Sequence, residues 1–172
     1  METEKNGRQR TSVYNANGLC VESATPTAIL SPHLTVMKHL LPFLGGLVTF
    51  MVISSVFYMG IMPYPTSSCV VPEDQMNIGA MILGNALMVG LAAYLVLLGG
   101  DYSMGSGAKH GAIAGLTVNG MLNIFIFSFF TCDGGHIFSM GEAVVDIVAN
   151  IVFMAATGAT IAKLYGRSAT PA

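Results

Sequence analysis

Residues 81–100 read MILGNALMVGLAAYLVLLGG, a run with no charged residue and one side-chain amide, Asn85. The hydrocarbon core of a bilayer is about 30 Å thick and a helix rises about 1.5 Å per residue, so about 20 apolar residues are enough to cross it. A strand of a membrane barrel would need only about 10 residues and would alternate in polarity. This run does neither, so it reads as a transmembrane helix spanning about 76–98. Comparable stretches fall at about 40–62, 111–131 and 140–162.

The whole chain has the same character. Of 172 residues, 53% are hydrophobic and 9% charged, with mean hydropathy +0.65. Soluble domains carry about 25% charge. The expected architecture is therefore all-α, an integral membrane four-helix bundle running up-down-up-down. Residues 1–38 should be a disordered cytosolic tail, 39–165 the transmembrane domain and 166–172 a second short tail. Residues 1–30 are polar and mixed in charge, with too little apolar surface to offset the entropy of ordering. The first apolar run starts near residue 40, too late and too long for a cleaved secretory leader. The early acids Glu2 and Glu4 argue against a mitochondrial transit peptide.

Charge also sets the threading. The basic residues Lys5, Arg8, Arg10, Lys38, Lys109, Lys163 and Arg167 occupy the N-terminal tail, the second loop and the C-terminal end, and the first and third loops have none. Cytosolic loops are the ones enriched in Lys and Arg, so both termini should be cytosolic, in a plasma membrane or a bacterial inner membrane. Cys69 in the first loop and Cys132 at the start of the third then face outward, while Cys20 lies in the cytosolic tail. An oxidising compartment permits a Cys69–Cys132 disulfide, which would pin the first helix pair to the second. The alternative is two separate thiols.

Between membrane helices the packing is governed by small residues and polar contacts. Gly107, Gly111 and Gly115 recur every four residues, Gly79, Gly84 and Gly90 run through the second helix, and Ala155, Gly158 and Ala159 cluster in the fourth. Close helix approach is expected at each of these faces, within the bundle or across a homodimer. GGDYSMGSGAKHG and CDGGH read as short turns between helices, and a longer first outer loop carries Pro63, Pro65 and Pro72.

The polar exceptions are the candidate site. Glu142, Asp146 and Asn150 recur every four residues along the fourth helix and so share a stripe. Glu142 belongs to the first turn, where solvent and the helix N-terminus favour an acid. Asp146 sits roughly 10 Å below the outer end, where a carboxylate facing lipid costs a few kcal/mol, so it should face the interior. Matching depths brings Asn85, Asn119, Asn123, Ser54, Ser55 and Tyr58 to the same outer half. No span supplies a Lys or Arg partner at that depth. Such a group suits either proton exchange or a neutral acid donating a hydrogen bond, and its amide neighbours suit interhelical glue.

Other chemistry is weakly represented. Asp133, His136 and Glu142 surround the outer turn, yet three mixed ligands without a repeat are a poor metal signature. His33, His39 and His110 read as interfacial. The 12 methionines are spaced as helix filler. No phosphate loop, nucleophile elbow, zinc-protease motif or dinucleotide fingerprint occurs. No enzyme activity, cofactor or metal is expected. A net charge of −2 with scattered bases excludes nucleic acid, leaving the lipid bilayer, further copies or a larger membrane complex as partners.

HGAIAGLTVNGMLNIFIFSFF followed by EAVVDIVANIVFMAATGATIA resembles the closing helix pair of a family of small four-helix membrane proteins, domain of unknown function 2177. The resemblance implies an acid or amide followed by Asn in the third helix, at Asn119 and Asn123, and an early Asp in the fourth, at Asp146. In the first helix Ser54 and Ser55 stand where the family usually has an Asp. The family lends a topology and no settled activity. The two function classes left are an accessory or structural membrane subunit held by interhelical polar contacts, and a small proton, cation or solute carrier using Asp146.

Overall fold

The computed structural model describes residues 13–14, 20–21, 32–62, 69–132 and 134–169. Two units are distinct, residues 1–32 and 33–172. In the first, β1 (Val13–Tyr14) and β2 (Cys20–Val21) pair antiparallel, Val13 opposite Val21 and Tyr14 opposite Cys20. The rest of the tail, to residue 31, lies outside the described residues.

The second unit is helical. It comprises α1 (Pro32–Gly60), α2 (Ile78–Gly99), α3 (Met104–Phe129) and α4 (Met140–Ala169), each containing a segment long and apolar enough to cross a membrane. The chain thus has the make-up of a multi-pass membrane protein. A 3-10 turn at Glu73–Gln75 lies between α1 and α2, with Pro63 and Pro65 outside the described residues. The turn between α3 and α4 is a small hairpin of β3 (Thr131–Cys132) and β4 (Gly135–His136), and Gly134 beside it has φ +81°, a conformation glycine adopts without strain.

The helix ends follow from their caps. Asn77 Oδ1 accepts from Ala80 N at 3.0 Å, and Gly100 closes α2 in the left-handed region at φ +66°. Ser139 and Glu142 form a reciprocal capping box on α4: Ser139 N donates to Glu142 Oε2 at 2.6 Å and Glu142 N to Ser139 Oγ at 3.2 Å. The acid is exposed and occupied with its own helix start.

Three boundaries differ from the sequence expectation. The first helix begins at Pro32, inside the expected tail, with proline at the first helical position where its missing N–H costs nothing. The fourth runs on to Ala169, past the expected span and into the expected C-terminal tail. The third begins at Met104, not near 111, leaving only residues 100–103 as the turn. Ser103 Oγ caps it by accepting from Ser106 N at 3.3 Å. Glycine in a helix costs about 1 kcal/mol against alanine, but here the glycines are contact surface. A Cβ on Gly107 or Gly111 would collide with the α4 backbone at Gly158 and Met154, and one on Gly115 would lie 2.8 Å from the Asn150 carbonyl oxygen. Tertiary packing therefore overrides local propensity, and α3 and α4 run antiparallel at close range.

The second helix reverses the expectation for its glycines. A Cβ on Gly84 would meet nothing within 4 Å, and one on Gly90 only Phe43 at 3.8 Å. Close approach to α1 comes instead from Gly45 and Gly46, which face Leu164 and Ile161 of α4. Burial explains the asymmetry. From Met88 onward α2 presents Val89, Ala92, Ala93 and Val96 to a core shared with Phe50, Phe153, Met154, Ile161, Ala162 and Tyr165. Before Met88 none of its residues is fully buried, and Ile78, Leu83 and Leu87 are all exposed. The bundle is tightly packed at one end and parted at the other.

Candidate functional site

The parted end contains a cavity of about 820 Å³, within the size range of small-molecule sites. All four helices contribute to its wall. Ser54, Ser55 and Tyr58 come from α1, Asn85 from α2, Asn119 and Asn123 from α3, and Asp146 and Asn150 from α4. The eight polar residues singled out in the sequence all line it.

At its centre is Asp146, half-buried, with hydrogen-bond donors on both oxygens. Tyr58 Oη donates to Oδ1. Asn123 Nδ2 donates to Oδ2 at 2.8 Å, and Asn150 Nδ2 makes a longer contact of 3.3 Å to Oδ1. Asn150 also donates to Tyr58 Oη at 2.9 Å and to the Asp146 carbonyl at 2.9 Å. Asn123 reaches back to the Asn119 carbonyl at 3.0 Å. The network ties α1, α3 and α4 together, with both Asp146 oxygens hydrogen-bonded to uncharged side chains. A carboxylate has about four acceptor positions, so the network leaves capacity on Oδ2, whose partner among the described residues is Asn123.

The remaining members are more loosely held. Ser54 is buried and donates to the Met51 carbonyl at 3.3 Å, while Ser55 is exposed at the rim. Asn85 Nδ2 lies 3.3 Å from Met51 Sδ, a weak acceptor, and is the polar link of α2 to the wall. Thus the polar contact that α2 makes at this end is a weak one.

Sequence reasoning missed the apolar half of the wall. Met51, Met59, Met62, Met76, Met81 and Met88 line the cavity, together with Phe50 and Phe138. They are not scattered filler. Met81, Asn85 and Met88 stand at i, i+4 and i+7, one helical face, and Met51, Ser54 and Tyr58 share a face of α1 at i, i+3 and i+7. Pairing methionine with polar residues on one stripe was the available signal.

Above the cavity, Cys69 and Cys132 are joined by a disulfide with Cα atoms 5.9 Å apart. It links the loop before α2 to the hairpin before α4. Met62, Met76, Ile137 and Phe138, from the same two connections, form the cavity's outer wall. Of the weak metal constellation at this turn, only His136 and Glu142 are described. Asp133 lies outside the described residues, the His136 ring stacks on Phe127 at 3.9 Å, and Glu142 caps α4. Among the described residues, no three His, Cys, Asp or Glu side chains gather to hold an ion. At the opposite end His39 meets Tyr165 Oη at 3.4 Å and the His110 ring lies 2.9 Å from the Ser106 carbonyl.

Outside the spans, Asp101 accepts from the Ser103 backbone N–H at 2.9 Å and from its hydroxyl at 3.0 Å. The backbone bond, then the hydroxyl, holds its carboxyl below the usual aspartate value.

No family model, curated protein or solved structure matches the chain.

Proposed function

We propose that the chain is a small carrier or solute-binding membrane protein whose outer cavity receives a solute at Asp146. One observation carries the reading: four helices part around a cavity of about 820 Å³ that reaches a carboxylate with no Lys or Arg among its described lining residues. A bundle held only by polar glue would need no such space. The bundle crosses a plasma or bacterial inner membrane up-down-up-down with both termini cytosolic, because its bases avoid the two connections next to the cavity. The site opens outward in that arrangement. Four helices enclose only a narrow path toward the packed end, so transport across the membrane calls for a homo-oligomer or larger complex. We further propose kinship with the family of domain of unknown function 2177, resting on Asn119, Asn123 and Asp146.

Thiol accessibility tests this reading. In a Cys20→Ser background that keeps the disulfide, Asn119→Cys, half-buried on the cavity wall, should react with a membrane-impermeant maleimide added outside, while Val89→Cys, with 0% exposure in the packed end, should not. A silent Asn119→Cys would reject the cavity. A second reading is favoured by the mutual pairing of Tyr58, Asn123, Asp146 and Asn150: an accessory subunit in which this network serves only to join helices. Complete loss of folding in Asp146→Asn, with no thiol access at Asn119→Cys, is the result that reading expects.

A further inference from the structure

We propose that the cavity selects an organic ammonium ion carrying an apolar body. The inference rests on the solute-binding reading above and names the class of solute. Two observations set the head group. The deep charged residue of the wall is Asp146, the second charged residue there is Glu142 at the exposed rim, and among the described residues no Lys, Arg or His lines the cavity. An anion would find amide and hydroxyl donors but no cationic partner among the described lining residues, and would meet two carboxylates. A cation would find an acid whose orientation is already fixed by Tyr58, Asn123 and Asn150, with room left on Oδ2.

The rest of the wall sets the body. A hard metal ion requires about six oxygen ligands, whereas much of the remaining lining is thioether and aromatic, including Met51, Met81, Met88 and Phe50. A proton alone needs no cavity of this size. Methionine side chains are flexible and polarisable and adapt to apolar shapes, and aromatic faces attract the positively polarised carbons beside an ammonium nitrogen. A cationic head at Asp146 with an alkyl or aryl body along the methionines satisfies both halves of the wall. A ligand of this amphiphilic kind also partitions into the outer leaflet, close to the exposed rim residues Ser55 and Met59.

The test is equilibrium binding of three probes of equal length, decylammonium, decanol and decanoate, to the full chain in lipid nanodiscs, with empty nanodiscs subtracted for partitioning. Saturable decylammonium binding about tenfold tighter than either other probe is expected, the worth of one ion pair in a partly dry site. In Asp146→Asn that preference should disappear while the decanol affinity stays. Equal saturable binding of all three would overturn the ammonium inference and leave the solute-binding reading standing. Tighter decanoate binding would overturn it as well. Absence of saturable binding by any probe would remove both. The wild-type ranking decides by itself if Asp146→Asn does not fold.

Discussion

Replacing Tyr58 by phenylalanine removes one oxygen and keeps the ring. Its contacts with Phe57 and Phe153, at centroid distances of 5.3 and 6.3 Å, survive the change. What is lost is the donation to Asp146 and the acceptance from Asn150 at 2.9 Å, both between α1 and α4. Interhelical hydrogen bonds in membranes average about 0.6 kcal/mol and reach about 1.7, and a bond to a carboxylate belongs in the upper part of that range. Tyr58→Phe should therefore destabilise the bundle by about 1–2 kcal/mol. The assay is reversible unfolding in mixed micelles titrated with dodecyl sulfate, followed by far-ultraviolet circular dichroism. Tyr94→Phe is the control: Tyr94 is 58% exposed on α2, away from the network, and its loss should cost less than about 0.5 kcal/mol. Equal losses in the two variants would mean that the Tyr58 hydroxyl does not join α1 to α4, and the reasoning would fall.

Glycine substitutions should separate the two ends of the bundle. Gly111→Ala should cost about 1–3 kcal/mol by forcing α3 off the Met154 backbone, whereas Gly84→Ala, with open space around it, should be neutral or stabilising by up to about 1 kcal/mol in the same titration. Of the three cysteines, one should take a polyethylene glycol maleimide in denatured protein before reduction and all three after it. Cys69→Ser should lower unfolding stability by about 2–4 kcal/mol. Asp101 gives an acid-limb prediction. Its folded carboxyl titrates below its unfolded value, so its contribution is present above the ordinary aspartate range and is lost as pH falls through the folded value. Asp101→Asn should flatten that part of the stability profile, measured from pH 6 downward.

Helix number was legible because each apolar run is long and uncharged, a property of composition that needs no knowledge of neighbours. The polar shell was legible for a related reason: Asn85, Asn123 and Asp146 each interrupt such a run, and depth along a helix follows from counting residues. What escaped depends on contact. The start of α3 was hidden because Gly105, Gly107 and Gly111 favour a turn locally, and only the α4 backbone beside Gly107 and Gly111 makes a helix there worthwhile. Gly84 and Gly111 have the same local chemistry, so no single-helix pattern distinguishes a packed glycine from one facing open space. The methionines failed similarly. Their stripe is visible on α1 and on α2 separately, but only the parting of the helices turns two stripes into a wall.

That parting has a physical cause in the solvent. A water-soluble bundle would close over an apolar cavity, because exposed methionine and phenylalanine surface costs about 25 cal/mol per Å² in water. In lipid this drive is absent, since the acyl chains are as apolar as the side chains. Closure must then be driven by close backbone approach or by polar contacts between helices. The sequence places the first at Gly107, Gly111, Gly115 and Gly158, welding α3 to α4, and the second at Tyr58, Asn123, Asp146 and Asn150, fixing α1 to that pair. The N-terminal half of α2 has neither, apart from the Asn85 contact with a thioether. It stands away for want of anything to hold it closer, and the Cys69–Cys132 bond tethers the loop before it to the α3–α4 hairpin. The result is an acid held by side chains of α1, α3 and α4, lining one cavity with the half of α2 that neither close glycine contacts nor a strong hydrogen bond draws in.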